Sequence, residues 1–199
     1  MHNPEILEVR TFGDPVLRNV SVEVTEVTEE LKVLAADMVA TMKDESGIGL
    51  AAPQVGKNIR MIAIGVHIYD DMPLPPNATP GEQMLSKLQP LVMINPKITR
   101  FSEEMSVLDE GCLSIPGLDA EVLRPAEIEL EGTIILERGS QFVHKPVRFV
   151  CGNLLSTCFQ HEIDHLDGIL YVDRASDEDK KRLEKSLKKM AKNTKKKLK

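Results

Sequence analysis

Asn153-Leu-Leu-Ser-Thr-Cys-Phe-Gln-His-Glu-Ile-Asp-His-Leu166, followed by Gly168, reads as a helix with Asn153 as its cap and the glycine just past its end. Inside it, His161-Glu162-Ile163-Asp164-His165 sets two histidines one helical turn apart on a shared face. Two imidazoles at that spacing can close on one metal ion. Glu162 lies about 100° round the helix. Its carboxylate therefore flanks the ion, where it can take a proton from metal-bound water and hand it to a leaving amine. The bland alternative is a polar helix carrying two ordinary histidines.

Two histidines leave a catalytic metal site incomplete, because such a site wants a third protein ligand and an open position. The chain has three cysteines, Cys112, Cys151 and Cys158. Cys158 lies near the histidine face, but an ion between residues 161 and 165 sits about 7 Å along the axis from it. Its Cβ also leans toward the helix N-terminus, away from the ion. Cys158 and Cys151 read as small packed residues. Cys112 stands in Asp109-Glu-Gly-Cys-Leu-Ser-Ile-Pro-Gly117, where glycine and Pro-Gly constrain the backbone. A loop cysteine alone is more often structural; beside the two histidines, Cys112 becomes the preferred third ligand.

Working outward, Leu31, Leu34, Ala35, Met38, Val39 and Met42 recur at helical spacing, which predicts an amphipathic helix from Thr28 to Lys43 with Thr28 as cap. Gly47-Ile-Gly-Leu-Ala-Ala-Pro-Gln-Val-Gly56 reads as a buried loop or distorted strand. Arg60 to Val66 is a strand candidate. Tyr69 to Pro90, with five prolines, reads as a long loop or insertion. Leu91 to Ile94 is a second apolar run, closed by Asn95-Pro96. Ile128 to Leu136 alternates apolar and acidic residues, Gly139-Ser140 turns the chain, and Val147 and Phe149 return it, which predicts a hairpin. Asp177 to Lys199 is a third helix candidate. These elements make an α+β fold, mixed or antiparallel strands around a central metal-binding helix, with an N-terminal helix and a basic C-terminal one. The expected organisation is one catalytic domain, residues 1–175, and a basic helix or tail, 176–199.

With 199 residues, 42% of them apolar but only two Tyr, five Phe and no Trp, the core must be built from Leu, Ile, Val and Met. An odd, small number of cysteines does not suggest a disulfide framework. No run approaches the length of a membrane span, and Glu5 and Glu8 argue against a signal peptide, so the cytoplasm is the expected location. Residues 180–199 hold eleven Lys/Arg against one acid, Glu184 (+10), which leaves −16 on the rest of a chain of net charge −6. That asymmetry points the tail toward an anionic partner; a solvated, frayed helix is the alternative. His2, His67 and His144 fall in no motif and read as surface or packing residues.

Three segments in order, Gly47-Ile-Gly-Leu-Ala-Ala-Pro-Gln54, Glu110-Gly-Cys-Leu-Ser114 and Gln160-His-Glu-Ile-Asp-His165, resemble the signature motifs of the peptide deformylase family. Gly13-Asp-Pro-Val-Leu-Arg18, Ile94-Asn-Pro96 and Arg124-Pro125 are similar to it as well, so the resemblance covers about residues 10–175. It implies metal-dependent removal of the formyl group from formyl-methionyl nascent polypeptides, with metal-activated water attacking the formyl carbon and formate released. Cys112, His161 and His165 would hold one ion, natively Fe(2+), replaceable by Ni, Co or Zn. Glu162 would be the general acid/base, and the Gln54 side chain and Leu113 N–H would form the oxyanion site. Ile48 and Gly49 would line the peptide groove, pairing with the substrate as a strand. In some members a C-terminal helix docks on the ribosome, which the tail at 180–199 resembles in position and charge. Residues 67–90 are longer than in compact members, and Asp119 stands where a basic residue is often found, which bears on contacts to the downstream peptide.

Two other functions remain open from the residues themselves. A zinc endopeptidase shares the two-histidine motif but needs a further ligand downstream, for which Asp164, Asp167 and Asp173 lack a compelling spacing. A non-catalytic metal module would need a fourth protein ligand and leaves Glu162 and Gln54 without a purpose.

Overall fold

The computed structural model describes residues 3–66, 74, 76–138 and 141–198. Strands β1 (Gly49–Ala51), β2 (Met61–Ile64), β3 (Leu91–Phe101), β6 (Ile128–Arg138) and β7 (Gln141–Cys151) form an antiparallel sheet in the order β1-β2-β3-β6-β7. β4 (Met105–Cys112) and β5 (Ile115–Pro125) form a separate antiparallel hairpin. The helices are α1 (Glu29–Asp44), α2 (Pro80–Leu85), α3 (Asn153–Leu166), α4 (Tyr171–Arg174) and α5 (Asp177–Lys197). The fold is α+β, as expected, with α3 at its centre.

β2 shows why the sheet is a middle layer. All four of its residues are buried, and they divide by the strand period of two. Ile62 and Ile64 join Leu155, Phe159 and Ile163 of α3 in one core. Met61 and Ala63 face Leu31, Met38 and Met42 of α1 in another. A third core, with Leu17, Val122, Tyr171 and Leu183, ties the β4–β5 hairpin to α4 and α5. Helix α1 starts as the sequence predicts: the Thr28 side chain accepts from the Leu31 N–H.

Three local expectations need correction. Asn153 is not the cap of α3; Gly152 takes that position. Asn153 adopts φ +51°, and its amide donates to the Glu82 carboxylate instead. The stretch expected as a loop contains α2, capped by reciprocal bonds between Thr79 and Glu82, while residues 67–73 and 75 lie outside the described residues. β3 is not closed by Asn95-Pro96 but runs through an irregularity to Phe101. Asn95 (φ +50°) bonds both backbone groups of Val24 through its side chain, which stabilises the bend. The β4–β5 hairpin and α4 were not anticipated. The Gly139-Ser140 turn, His2 and His67 lie outside the described residues, and His144 is exposed.

Candidate active site

Helix α3 is buried along twelve of its fourteen residues, which presents His161 and His165 to the interior. The β4–β5 turn brings Cys112 over them: its Sγ is 3.2 Å from His165 Nε2. The ligand atoms of Cys112, His161 and His165 all lie within 4.8 Å of one another. A sulfur and two imidazole nitrogens at that separation fit a late divalent transition metal. Burial lowers the pKa of both histidines; at His161 the bonds to Cys112 and Glu110 outweigh it and raise the pKa well above normal.

The support behind the cluster is ionic, and buried apart from Arg174. Glu110 Oε2 lies 2.7 Å from His161 Nδ1, so Nδ1 donates and Nε2 is left for a ligand bond. Burial pushes the Glu110 carboxyl up, but the bonds from Arg124 and His161 outweigh it and hold it below the usual range. Arg124, only 3% exposed, clasps Glu110 through Nε and Nη2 and reaches Asp164 Oδ2 at 2.9 Å. Arg174 grips the same Asp164 with two bonds of 2.5 Å. The Tyr171 ring stacks on His161 at 6.1 Å, its hydroxyl donating to the Leu118 carbonyl.

Gln54 is oriented by its own 3₁₀ turn. Its Oε1 accepts from the Ala51 N–H at 2.7 Å, which turns Nε2 toward Cys112 Sγ (3.4 Å) and Ser114 Oγ (3.2 Å). The N-terminal segment braces this wall: the Arg10 N–H donates to the Gln54 carbonyl and the Phe12 N–H to that of Ser114. On the other side, Glu162 packs directly on Gly49, where an added Cβ would fall 2.3 Å from Oε1. Burial raises the Glu162 carboxyl to about 7, and its Oε2 has no hydrogen-bond partner among the described residues.

A groove of about 650 Å³ opens over the cluster. Ile48, Gly49, Gln54 and Leu113 line it, as do Cys112, His161 and Glu162. His165 lies behind them, 1% exposed. The residues named in the sequence as metal ligands, catalytic groups and peptide contacts are therefore all in or beside one cavity. Cys158 and Cys151 are buried, and burial raises both thiols. Sequence reasoning missed the roles of Glu110, Arg124, Asp164 and Arg174. Glu110 and Arg124 stood inside quoted motifs, but no spacing rule links them across 14 residues.

Residues 6–181 match the family described as polypeptide deformylase. A peptide deformylase of Picosynechococcus sp. is 44% identical over 172 residues, covering 86% of this chain and 80% of that one. One from Rhizobium meliloti is 45% identical over 163 residues, covering 82% and 81%. Among solved structures, a peptide deformylase from Synechococcus elongatus in complex with actinonin superposes with a TM-score of 0.72 at 37% identity, covering 93% of this chain and 87% of that one. Arabidopsis thaliana peptide deformylase 1B, in complex with an inhibitor, gives 0.75 at 29% identity, covering 96% and 93%. On sequence and fold together, the chain belongs to the polypeptide deformylase family.

Proposed function

We propose that the chain hydrolyses the formamide of N-formylmethionyl polypeptides, releasing formate and freeing the methionine amino group. The observation that carries this reading is the meeting of Cys112, His161, Glu162 and Gln54 at one groove, with His165 close behind them. Cys112, His161 and His165 would hold a divalent ion, ferrous iron by the resemblance and replaceable by nickel, cobalt or zinc. When bound, the ion supplies Lewis-acid activation of water and of the formyl oxygen. Glu162 takes the proton of the attacking water and returns it to the amine nitrogen as the C–N bond breaks. A carboxyl near 7 suits both transfers. Gln54 Nε2 and the Leu113 N–H donate to the oxygen as charge develops on it, worth about 3 kcal/mol per donor.

β1 is the last strand of its sheet, and Ile48 and Gly49 face the groove, so the peptide backbone adds to this edge as a further strand. A formyl carbon bears only hydrogen, so a tight site admits it and excludes larger acyl groups. Residues 1–175 carry the catalysis. The basic segment 176–199 contains helix α5, whose exposed lysines suit a polyanionic partner, the ribosome by the resemblance. None of the helices is long and apolar enough to cross a membrane among the described residues, and the proposed location is the cytoplasm.

The test is formate release from a formyl-Met tripeptide by iron-loaded protein prepared without air. Rapid release, absent with the acetylated or unformylated peptide, is expected; no release from folded, metal-replete protein would overturn the proposal. Glu162→Ala separates an enzyme from a structural metal module. Metal content by elemental analysis should hold while turnover drops about 100-fold or more.

A further inference from the structure

One turn before His161 on α3, Thr157 sits in the groove wall between Leu154 and Cys158. It is 94% buried, with 6% exposure, yet its hydroxyl has no hydrogen-bond partner among the described residues. Two other buried helical threonines return theirs to the carbonyl four residues earlier: Thr41 to Asp37 at 2.7 Å and Thr194 to Met190 at 3.2 Å. Nor is the Thr157 oxygen among the sealed atoms that lack a partner among the described residues, as Glu162 Oε2 and His165 Nδ1 do. It keeps contact with open space, and the space that Thr157 borders is the groove.

The surroundings make this hydroxyl conspicuous. Leu154 is apolar, and the Cys158 S–H is turned aside onto the Ile48 carbonyl at 3.4 Å. Residues four apart on a helix are neighbours on one face, about 6 Å apart along its axis. Thr157 and the cluster residues Cys112 and His161 line the same groove, so in the proposed pose, with the formyl group at the cluster, the first side chain of the peptide would run along the wall that Thr157 forms. A buried donor without a protein partner favours a ligand that brings an acceptor and disfavours the isostere that lacks one. A thioether sulfur accepts weakly; the oxygen of a sulfoxide accepts strongly.

We propose that the Thr157 hydroxyl donates to the first side chain of the substrate, so that the groove takes N-formylmethionine sulfoxide peptides in addition to N-formylmethionine ones. The proposal rests on the deformylase reading. It makes Thr157 a specificity determinant: the methionine-shaped norleucine, with no acceptor, is the ligand it penalises.

The experiment compares kcat/KM for three tripeptides beginning with formyl-methionine, formyl-methionine sulfoxide and formyl-norleucine, using iron- or nickel-loaded protein. The expected result is a sulfoxide-to-norleucine ratio that falls about five-fold in Thr157→Val and returns in Thr157→Ser. Thr157→Ala serves in place of the valine variant if that one fails to fold. A ratio unchanged by loss of the hydroxyl, or not restored by serine, overturns the assignment while leaving deformylation intact. Absence of formate from all three peptides with unaltered protein would instead overturn the deformylase reading itself.

Discussion

At position 49 the absence of a side chain is a catalytic requirement in the proposed reaction. A Cβ there would lie 2.3 Å from Glu162 Oε1 and 2.8 Å from its Cδ, so Gly49→Ala must push the carboxylate out of place. The backbone at Gly49 carries no positive φ, so the cost falls on Glu162 rather than on the chain. Turnover should drop about 100-fold while the thermal midpoint moves by only a few degrees; formate release and a melting curve on the same preparation check this. The two histidines and Glu162 were legible because their relation is local: helical periodicity alone puts His161 and His165 on one face. Cys112 was legible only in their company. The contact of Gly49 with Glu162 was not, because it joins a strand to a helix more than a hundred residues away, and no spacing encodes it. The same holds for the oxygen of Ser114, which receives Gln54 Nε2 and was read only as part of a motif.

Four elements meet at Arg124. It leaves β5, holds Glu110 of β4 and Asp164 of α3, and Asp164 in turn takes Arg174 of α4. Arg124→Met would leave two carboxylates facing each other without their central cation, a change of the kind that costs about 3–5 kcal/mol. Glu110 would also lose its hold and with it the fixed tautomer of His161, so metal affinity should weaken about 10- to 100-fold. Denaturant unfolding and a competition titration with a metal-binding dye read the two effects separately; intact affinity would show that Glu110 orients His161 unaided. This network also explains why the β4–β5 hairpin escaped notice in the sequence. Its inward face carries Glu110 and Arg124 where a strand pattern asks for apolar residues, and its outward face exposes Val107 and Leu123. The α2 start was hidden differently: Thr79, Pro80 and Glu82 make a proper helix opening, but the surrounding prolines read as a loop.

Across the molecule, the basic helix α5 is also a brace. Leu183 is buried in the third core, the Thr194 hydroxyl meets that of Thr11 at 2.7 Å, and Gly13 lies against Ala191. The segment so pinned is the one whose Arg10 and Phe12 hold the backbone of Gln54 and Ser114. Gly13→Ala would place a Cβ 2.6 Å from the Ala191 Cα at φ +102°, a conformation costly for any residue with a side chain. A loss of about 1–3 kcal/mol in stability is expected, measured by denaturant unfolding. The three-helix frame and the α+β class were readable from periodicity. The strand order and the docking of α5 were not, since each depends on which distant surfaces find one another. The burial of α3 reaches further than rigidity. With His165 sealed behind it, the ligand cluster meets the outside through the groove, where Cys112 and His161 form part of the wall. Among the described residues, oxidant, chelator and peptide would reach the cluster by this same groove. On the proposed reading, a filled groove would shelter the bound ion and an empty one would expose it, and the supply of new chains would become a condition of the enzyme's lifetime.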